Sequence, residues 1–193
     1  MCGIVGYIGK SQAAPILLDG LGKLEYRGYD SSGIAVINGE EILSSKSKGR
    51  LKVLSELTHD GATMPGTVGI GHTRWATHGE PSDVNAHPHF NADRTIAVVH
   101  NGIIENYLKI KKRLTEKGYK FVSETDTEVV VHLLDYYYRQ DSSSPLETIA
   151  RVMHRLDGSY ALGVLFLDHS DRVYAVRKDS PLVVGIGKDG NLI

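Results

Sequence analysis

Apolar positions along this chain change period several times, and each change marks an element. Residues 3–8 form a short apolar run, the pattern of a buried strand. Ala14, Leu17, Leu18, Leu21 and Leu24 then recur at helical spacing, with Ser11 placed to cap the helix and a stop near Arg27-Gly28. Residues 33–37 read as a strand, Asn38-Gly39 as a hairpin turn, and 41–44 as the returning strand. Leu51, Leu54 and Leu57 mark a short helix, and 67–73 a strand. Residues 74–94 show no period and contain Pro81, Pro88 and several histidines, which predicts a long loop of the kind that carries function. A strand over 95–100 follows, then a turn and a helix over 106–117 that Gly118 ends. A brief strand is expected at 121–123 and a helix from Thr125 to about Gln140. Ser144-Pro145-Leu146-Glu147 is a capping box with Pro at the first helical position. Leu146, Ile149, Val152 and Leu156 are the expected buried stripe, ended by Gly158. Residues 159–167, 172–176 and 182–186 read as successive strands, and Asp189-Gly190 as a turn into a last strand at 191–193.

Strands joined by short turns pair antiparallel, whereas a doubly wound parallel sheet needs strict strand–helix alternation. Here the helices fall in two groups between strand clusters, so the pattern predicts an α+β fold. No repeat or linker divides the 193 residues, which are expected to form one domain. The last strand has barely begun at Ile193, and the natural chain is expected to continue.

Composition narrows the function. Apolar residues make up 41% and the formal net charge is −1, enough for a real core and too little positive charge for a general nucleic-acid binder. No apolar run approaches the roughly 20 residues that span a bilayer, and the first residues lack the charged start of a secretory signal. With no membrane segment and no leader, the cytoplasm is the expected compartment. The chain has one cysteine, which excludes an internal disulfide and a multi-cysteine zinc site.

That cysteine stands at position 2. Removal of Met1 would leave one residue with both a thiol and a free α-amine, whose pKa of roughly 7.7–8.0 suits a general base at neutral pH. An inert buried thiol is the competing reading. His100-Asn101-Gly102 lies where a strand is expected to end. There the Asn101 amide and the Gly102 N–H could converge on an oxyanion, although an ordinary Asn-Gly turn uses the same residues. Arg74-Trp75-Ala76-Thr77-His78-Gly79 offers a guanidinium for a carboxylate, further donors, and a tryptophan to cover a small ligand. A loop with Trp75 anchored in the core is the alternative. Asp126 suits an ammonium group or a helix cap. Histidines 72, 78, 87, 89 and 100 lack a metal-ligand spacing, so neither a metal nor a cofactor is expected. Gly185-x-Gly187-x-x-Gly190 leads into a turn instead of a helix, and is set aside as a phosphate-binding motif.

In order along the chain stand Met1-Cys2-Gly3-Ile4-Val5-Gly6, Tyr26-Arg27-Gly28-Tyr29-Asp30-Ser31-Ser32-Gly33, Gly71-His72-Thr73-Arg74-Trp75-Ala76-Thr77-His78-Gly79, His100-Asn101-Gly102 and Ser123-Glu124-Thr125-Asp126-Thr127-Glu128. This succession resembles the class II glutamine amidotransferases and covers essentially the whole chain. The resemblance implies an N-terminal nucleophile hydrolase fold, a four-layer αββα sandwich with two antiparallel sheets. It implies Cys2 as nucleophile on glutamine and Asn101 with Gly102 as the oxyanion hole. It further implies Arg74, Thr77 and His78 on the substrate α-carboxylate, Asp126 on its α-ammonium, and Trp75 in a closing loop. Arg27 and His87 take supporting places. The wording is nearest the branch that passes ammonia to fructose 6-phosphate held by C-terminal domains absent here, in an enzyme expected to be a homo-oligomer. Another amidotransferase branch, a stand-alone amidase with an N-terminal cysteine, and a non-catalytic regulatory domain are the rivals.

Overall fold

The structure is a computed structural model and describes residues 2–141 and 144–193, so the expected processing of Met1 lies outside the described residues. Its elements are β1 (Gly3–Gly9), α1 (Ala13–Leu24), β2 (Ser31–Asn38), β3 (Glu41–Lys48), α2 (Leu51–Leu57), β4 (Val68–Arg74), β5 (His89–Phe90), β6 (Ile96–Ile104), α3 (Tyr107–Glu116), α4 (Glu128–Asp141), α5 (Pro145–Met153), β7 (Gly158–Phe166), β8 (Tyr174–Lys178), β9 (Gly185–Ile186) and β10 (Gly190–Leu192). One sheet runs β3-β2-β4-β1-β10-β9 and the other β5-β6-β7-β8. Every pairing is antiparallel.

Side-chain alternation turns these two sheets into four layers. Ile4, Ala35, Ile37, Val68 and Ile70 of the first sheet meet Ala97, Val99, Ala161 and Leu165 of the second in a shared core. The opposite parity of the first sheet, Val5, Tyr7, Ile34 and Val36, packs on Leu17, Leu18, Leu21, Leu51 and Leu54 of α1 and α2. The outer face of the second sheet, including Val98, Tyr160, Leu162 and Phe166, packs on α3, α4 and α5. Burying one such aliphatic or aromatic side chain stabilises by about 1.5–3 kcal/mol. The αββα sandwich expected above is therefore present. Close approach of α1 requires Gly69 on β4, where an added Cβ would come within 2.9 Å of Leu17.

Several local expectations are corrected. Ser11 does not cap α1. Gln12 takes that position, its side chain accepting the Gly66 N–H at 2.8 Å, while the Ser11 N–H donates to the Tyr7 hydroxyl. Strand β6 does not stop at His100 but runs through Asn101-Gly102 to Ile104, with Asn101 opposite Ala161 and Gly102 opposite Tyr160, so no Asn-Gly turn forms. The loop after β4 is interrupted by the two-residue strand β5. The capping box of α5 forms, but Leu146 is 63% exposed. Pro145 and Thr148 join Ile149 and Val152 on the buried face, and the helix ends at Met153 while Gly158 opens β7. Residues 182–186 pair only at Gly185–Ile186.

The expected strand at 121–123 is absent for a specific reason. The N–H groups of Val122 and Ser123 donate to the Glu128 carboxylate at 2.9 and 2.7 Å, and the Ser123 hydroxyl joins them at 2.6 Å. Glu128, not Thr125 or Asp126, is the first residue of α4. Burial would raise its carboxyl pKa. The His132 ring nitrogen 3.5 Å away, with hydrogen bonds from the Ser123 hydroxyl and the two backbone N–H groups, outweighs that and holds it down at about 2, against an ordinary 4.5. A carboxyl depressed by folding binds its proton first in the unfolded chain. Its stabilisation is therefore present above about pH 4.5 and lost as pH falls toward 2. Wild type should accordingly be more stable than Glu128→Gln near pH 6, with the gap in thermal midpoint closing as pH falls through that window. A gap independent of pH would show that the carboxylate's charge is not what holds the segment.

Candidate active site

Strand parity places the candidate residues. Along β4, Val68, Ile70, His72 and Arg74 share the parity facing the other sheet. On β6 that parity carries Ala97, Val99 and Asn101. Ile4 is opposite His72 and Gly3 opposite Thr73, so Cys2, two residues before Ile4, arrives beside the end of β4. The two sheets thus bring Cys2, Arg74 and Asn101 to one end of their shared gap.

A cavity of about 410 Å³ opens there. All eight predicted site residues line it: Cys2, Arg74, Trp75, Thr77, His78, Asn101, Gly102 and Asp126, as do Arg27 and His87. A larger open groove of about 920 Å³ runs elsewhere along Lys46, Arg94 and Arg139 and contains none of these ten residues. The chemistry therefore rests with the smaller cavity.

Cys2 is half-buried, and its Sγ accepts the backbone N–H of Trp75 at 3.2 Å. Burial pushes the thiol pKa up, and the Trp75 N–H pulls it partly back. The Trp75 ring is not anchored in the core. It is half-exposed and meets Tyr29 edge-on at 5.4 Å. The next residue, Ala76, donates its N–H to the Asp30 carboxylate, which ties this stretch to the start of β2.

Arg74 is buried, and much of its guanidinium is already engaged. Nη2 donates to the carbonyls of His78 and Gly79, the latter at 2.9 Å, and Nη1 reaches Glu80 O at 3.5 Å. The same side chain that lines the cavity thus curls the 78–80 loop around itself.

Asp126 is no helix cap. Its Oδ2 accepts the Ile104 N–H at 2.8 Å, and Oδ1 lies 3.9 Å from His78 Nδ1. One carboxylate oxygen fixes the group to β6 while the other faces the cavity wall. Gly102 sits at φ +123°, and a Cβ there would lie 2.1 Å from the Ser159 carbonyl. Only glycine lets the strand pass so close while keeping Asn101 in place.

Sequence reasoning gave His87 a supporting place but missed the shell to which it belongs behind these residues. His72, His87, His89 and His100 are fully buried together, His72 and His87 stacked at 4.1 Å. Burial, the dominant cause, lowers all four pKa values, His72 to about 3, so the cluster is neutral. Thr127 Oγ1 lies 2.9 Å from His100 Nδ1 and 3.4 Å from His87 Nε2, and Thr125 Oγ1 lies 3.1 Å from His89 Nε2. The continued even-residue parity of β4 was the one signal for His72. For Thr127 there was none. Among the described residues no group of three or more His, Cys, Asp or Glu side chains is arranged to hold a metal ion.

Two facing antiparallel sheets between helices, with a thiol and an amide donor at one shared end, define the N-terminal nucleophile hydrolase architecture of class II amidotransferases. Residues 72–193 match the family described as the glutamine amidotransferase domain, and the chain belongs to that family. It is 61% identical over 193 residues to the glutamine–fructose-6-phosphate aminotransferase (isomerizing) of Caldanaerobacter subterraneus subsp. tengcongensis, covering all of this chain and 31% of that protein. The enzyme of the same name from Clostridium tetani is 60% identical over 189 residues, 98% of this chain and 30% of that protein. The chain thus spans about a third of the length of the curated relatives it matches. Among solved structures, glutamine phosphoribosylpyrophosphate amidotransferase from B. subtilis, complexed with ADP and GMP, superposes with a TM-score of 0.85 at 25% identity, over all of this chain and 41% of that one. A glutamine aminotransferase class-II domain protein from Silicibacter pomeroyi shares the fold at a TM-score of 0.66 and 16% identity, over all of this chain and 87% of that one.

Gly102→Ala is expected to lower stability by about 1–3 kcal/mol, the usual cost of forcing a side chain into such a conformation. Chemical denaturation measures it. A variant as stable as wild type would mean that β6 does not need its close pass over Ser159.

Proposed function

We propose that this domain hydrolyses glutamine to glutamate and ammonia through a thioester on Cys2, with ammonia passed to fructose 6-phosphate to make glucosamine 6-phosphate. The observation that carries this reading is the meeting of a thiol, an amide donor, the Arg74 guanidinium and a carboxylate on a cavity the size of a small amino acid's site. Cys2 Sγ attacks the carboxamide carbon, and its own α-amine, free once Met1 is removed, takes the thiol proton. The amine is the needed base because burial holds the thiol protonated. Asn101 Nδ2 has two N–H donors. One binds Cys2 O at 3.1 Å, and the other with the Gly102 N–H stabilises the oxyanion. The C–N bond breaks, ammonia leaves with the proton, and water hydrolyses the thioester.

Arg74, Thr77 and His78 hold the α-carboxylate, Asp126 the α-ammonium, and Trp75 covers the bound substrate. Fructose 6-phosphate belongs to domains outside these 193 residues, in a cytoplasmic homo-oligomer. The relatives that share 60% identity or more over this span carry that enzyme's name, which favours this branch over the others.

The direct test incubates the domain, with Met1 removed, with glutamine and fructose 6-phosphate, and assays glutamate and glucosamine 6-phosphate separately. Glutamate without amino sugar is expected, and Cys2→Ala should make neither. Absence of glutamate from a folded wild-type sample, or activity in a sample shown by mass spectrometry to retain Met1, would sink the mechanism.

Arg74→Lys should raise KM for glutamine by about tenfold or more, because lysine keeps the charge but offers neither the planar fork nor the set of loop contacts. An unchanged KM would show that Arg74 serves the loop alone.

A further inference from the structure

The Asn101 side chain has two chemically opposite ends, and the protein must choose which faces the nucleophile. Its Nδ2 lies 3.1 Å from the Cys2 carbonyl and its Oδ1 2.9 Å from His72 Nε2. A carbonyl oxygen only accepts, so the amide nitrogen must face Cys2 and the amide oxygen must face His72. His72 must then donate, which puts the single proton of its neutral ring on Nε2. The other ring nitrogen, Nδ1, is buried and makes no hydrogen bond among the described residues.

The ring cannot easily leave this pose. It is fully buried, projects inward from a central strand, and stacks on His87 at 4.1 Å with an interplanar angle of 15°. His87 is held in turn, its Nδ1 accepting the His100 N–H at 3.2 Å.

We propose that His72 is the positioning residue of the oxyanion hole: its Nε2–H holds Asn101 with the amide nitrogen toward Cys2, so that an N–H and not a lone pair meets the developing negative charge. This rests on the reading of Asn101 as an oxyanion donor. Without His72, Asn101 Oδ1 is a buried acceptor with no partner, and only the carbonyl of the nucleophile's own residue selects the amide orientation. The side chain then rotates or flips at little cost, and either movement removes the donor from where the charge develops.

The test is a double-mutant cycle on glutaminase turnover. Asn101→Ala should lower kcat by about 10²–10³-fold. His72→Leu, which removes the donor but keeps an apolar filling, should lower kcat by about 10–100-fold with KM little changed. The double variant should be no slower than Asn101→Ala alone, because a residue acting through Asn101 has nothing left to act on. His72→Gln, whose amide N–H reaches nearly the same point as Nε2, should recover much of the loss. Multiplying losses in the double variant, no rescue by Gln, or an unaltered kcat in His72→Leu would each overturn the proposal. An Asn101→Ala variant with normal kcat would overturn the oxyanion reading itself. Should His72→Leu fail to fold, ¹⁵N spectra of the wild-type imidazole decide: an Nε2–H tautomer supports the proposal and an Nδ1–H tautomer overturns it.

Discussion

Strand β1 is hydrogen-bonded on both sides, by β4 in an uninterrupted register from Ile8–Val68 to Gly3–Thr73, and by β10 at its far end. The rest of the site depends on that pairing. A one-residue slip in a strand with both faces covered would reverse every inward and outward side chain, placing Ile4 against α1 and Val5 between the sheets. The packing against Leu17 and Leu21 on one face, and Ala97 and Val99 on the other, forbids it. Cys2 is therefore placed by the hydrophobic core, not by contacts of its own. The tether on its thiol, to the Trp75 peptide, comes from the residue that follows the partner strand β4, and the tether on its carbonyl comes from Asn101 of the second sheet.

The second sheet supplies the complementary half by the same rule. Ala97 and Val99 commit the parity of β6, and Asn101 inherits it. Sheets so covered make a stiff frame, which suits groups whose job needs fixed geometry. Groups expected to recognise the substrate lie on the less regular segments at 74–80 and 124–127. These segments are themselves tied down: Arg74 to the carbonyls of His78 and Gly79, Ala76 to Asp30, and Asp126 to the Ile104 N–H.

The periodic parts of this fold were legible in the sequence because one residue type repeats for one physical reason. The α1 stripe and the capping box of α5 formed where the pattern put them, and the β2–β3 hairpin formed with its turn at Gly39-Glu40, one residue later than Asn38-Gly39, because Asn38 pairs with Glu41. The misses share a different cause: a side chain from a distant segment won a local competition. Glu128 took the N–H groups that a strand at 121–123 would have paired, and Ile104 took the carboxylate oxygen that Asp126 would have used to cap α4. Asn101-Gly102 is a turn by composition but a strand by pairing, since β7 lies alongside it to Gly158. The site's membership came from the order of motifs and not from any period, and the buried histidines behind it carried almost no local signal.

That histidine layer explains how a polar site can sit on a dry core. Four neutral imidazoles, stacked, edge-on or tilted, stand behind the cavity, with His72 on the inter-sheet face of β4 and His100 on the helix-facing side of β6. Each ring gives apolar faces to its neighbours and a directed nitrogen to a polar partner: His72 to Asn101, His87 to the His100 N–H, His89 to Thr125, and His100 to Thr127. Carboxylates or lysines in these positions would bring charges whose desolvation costs several kcal/mol each. Leucines would leave Asn101 Oδ1, the His100 N–H and the two threonine hydroxyls without these partners. Neutral histidine is the side chain that meets both demands. Its depressed basicity is then a consequence of the place it fills, and the cluster orders the site's hydrogen bonds without adding charge where the nucleophile must work.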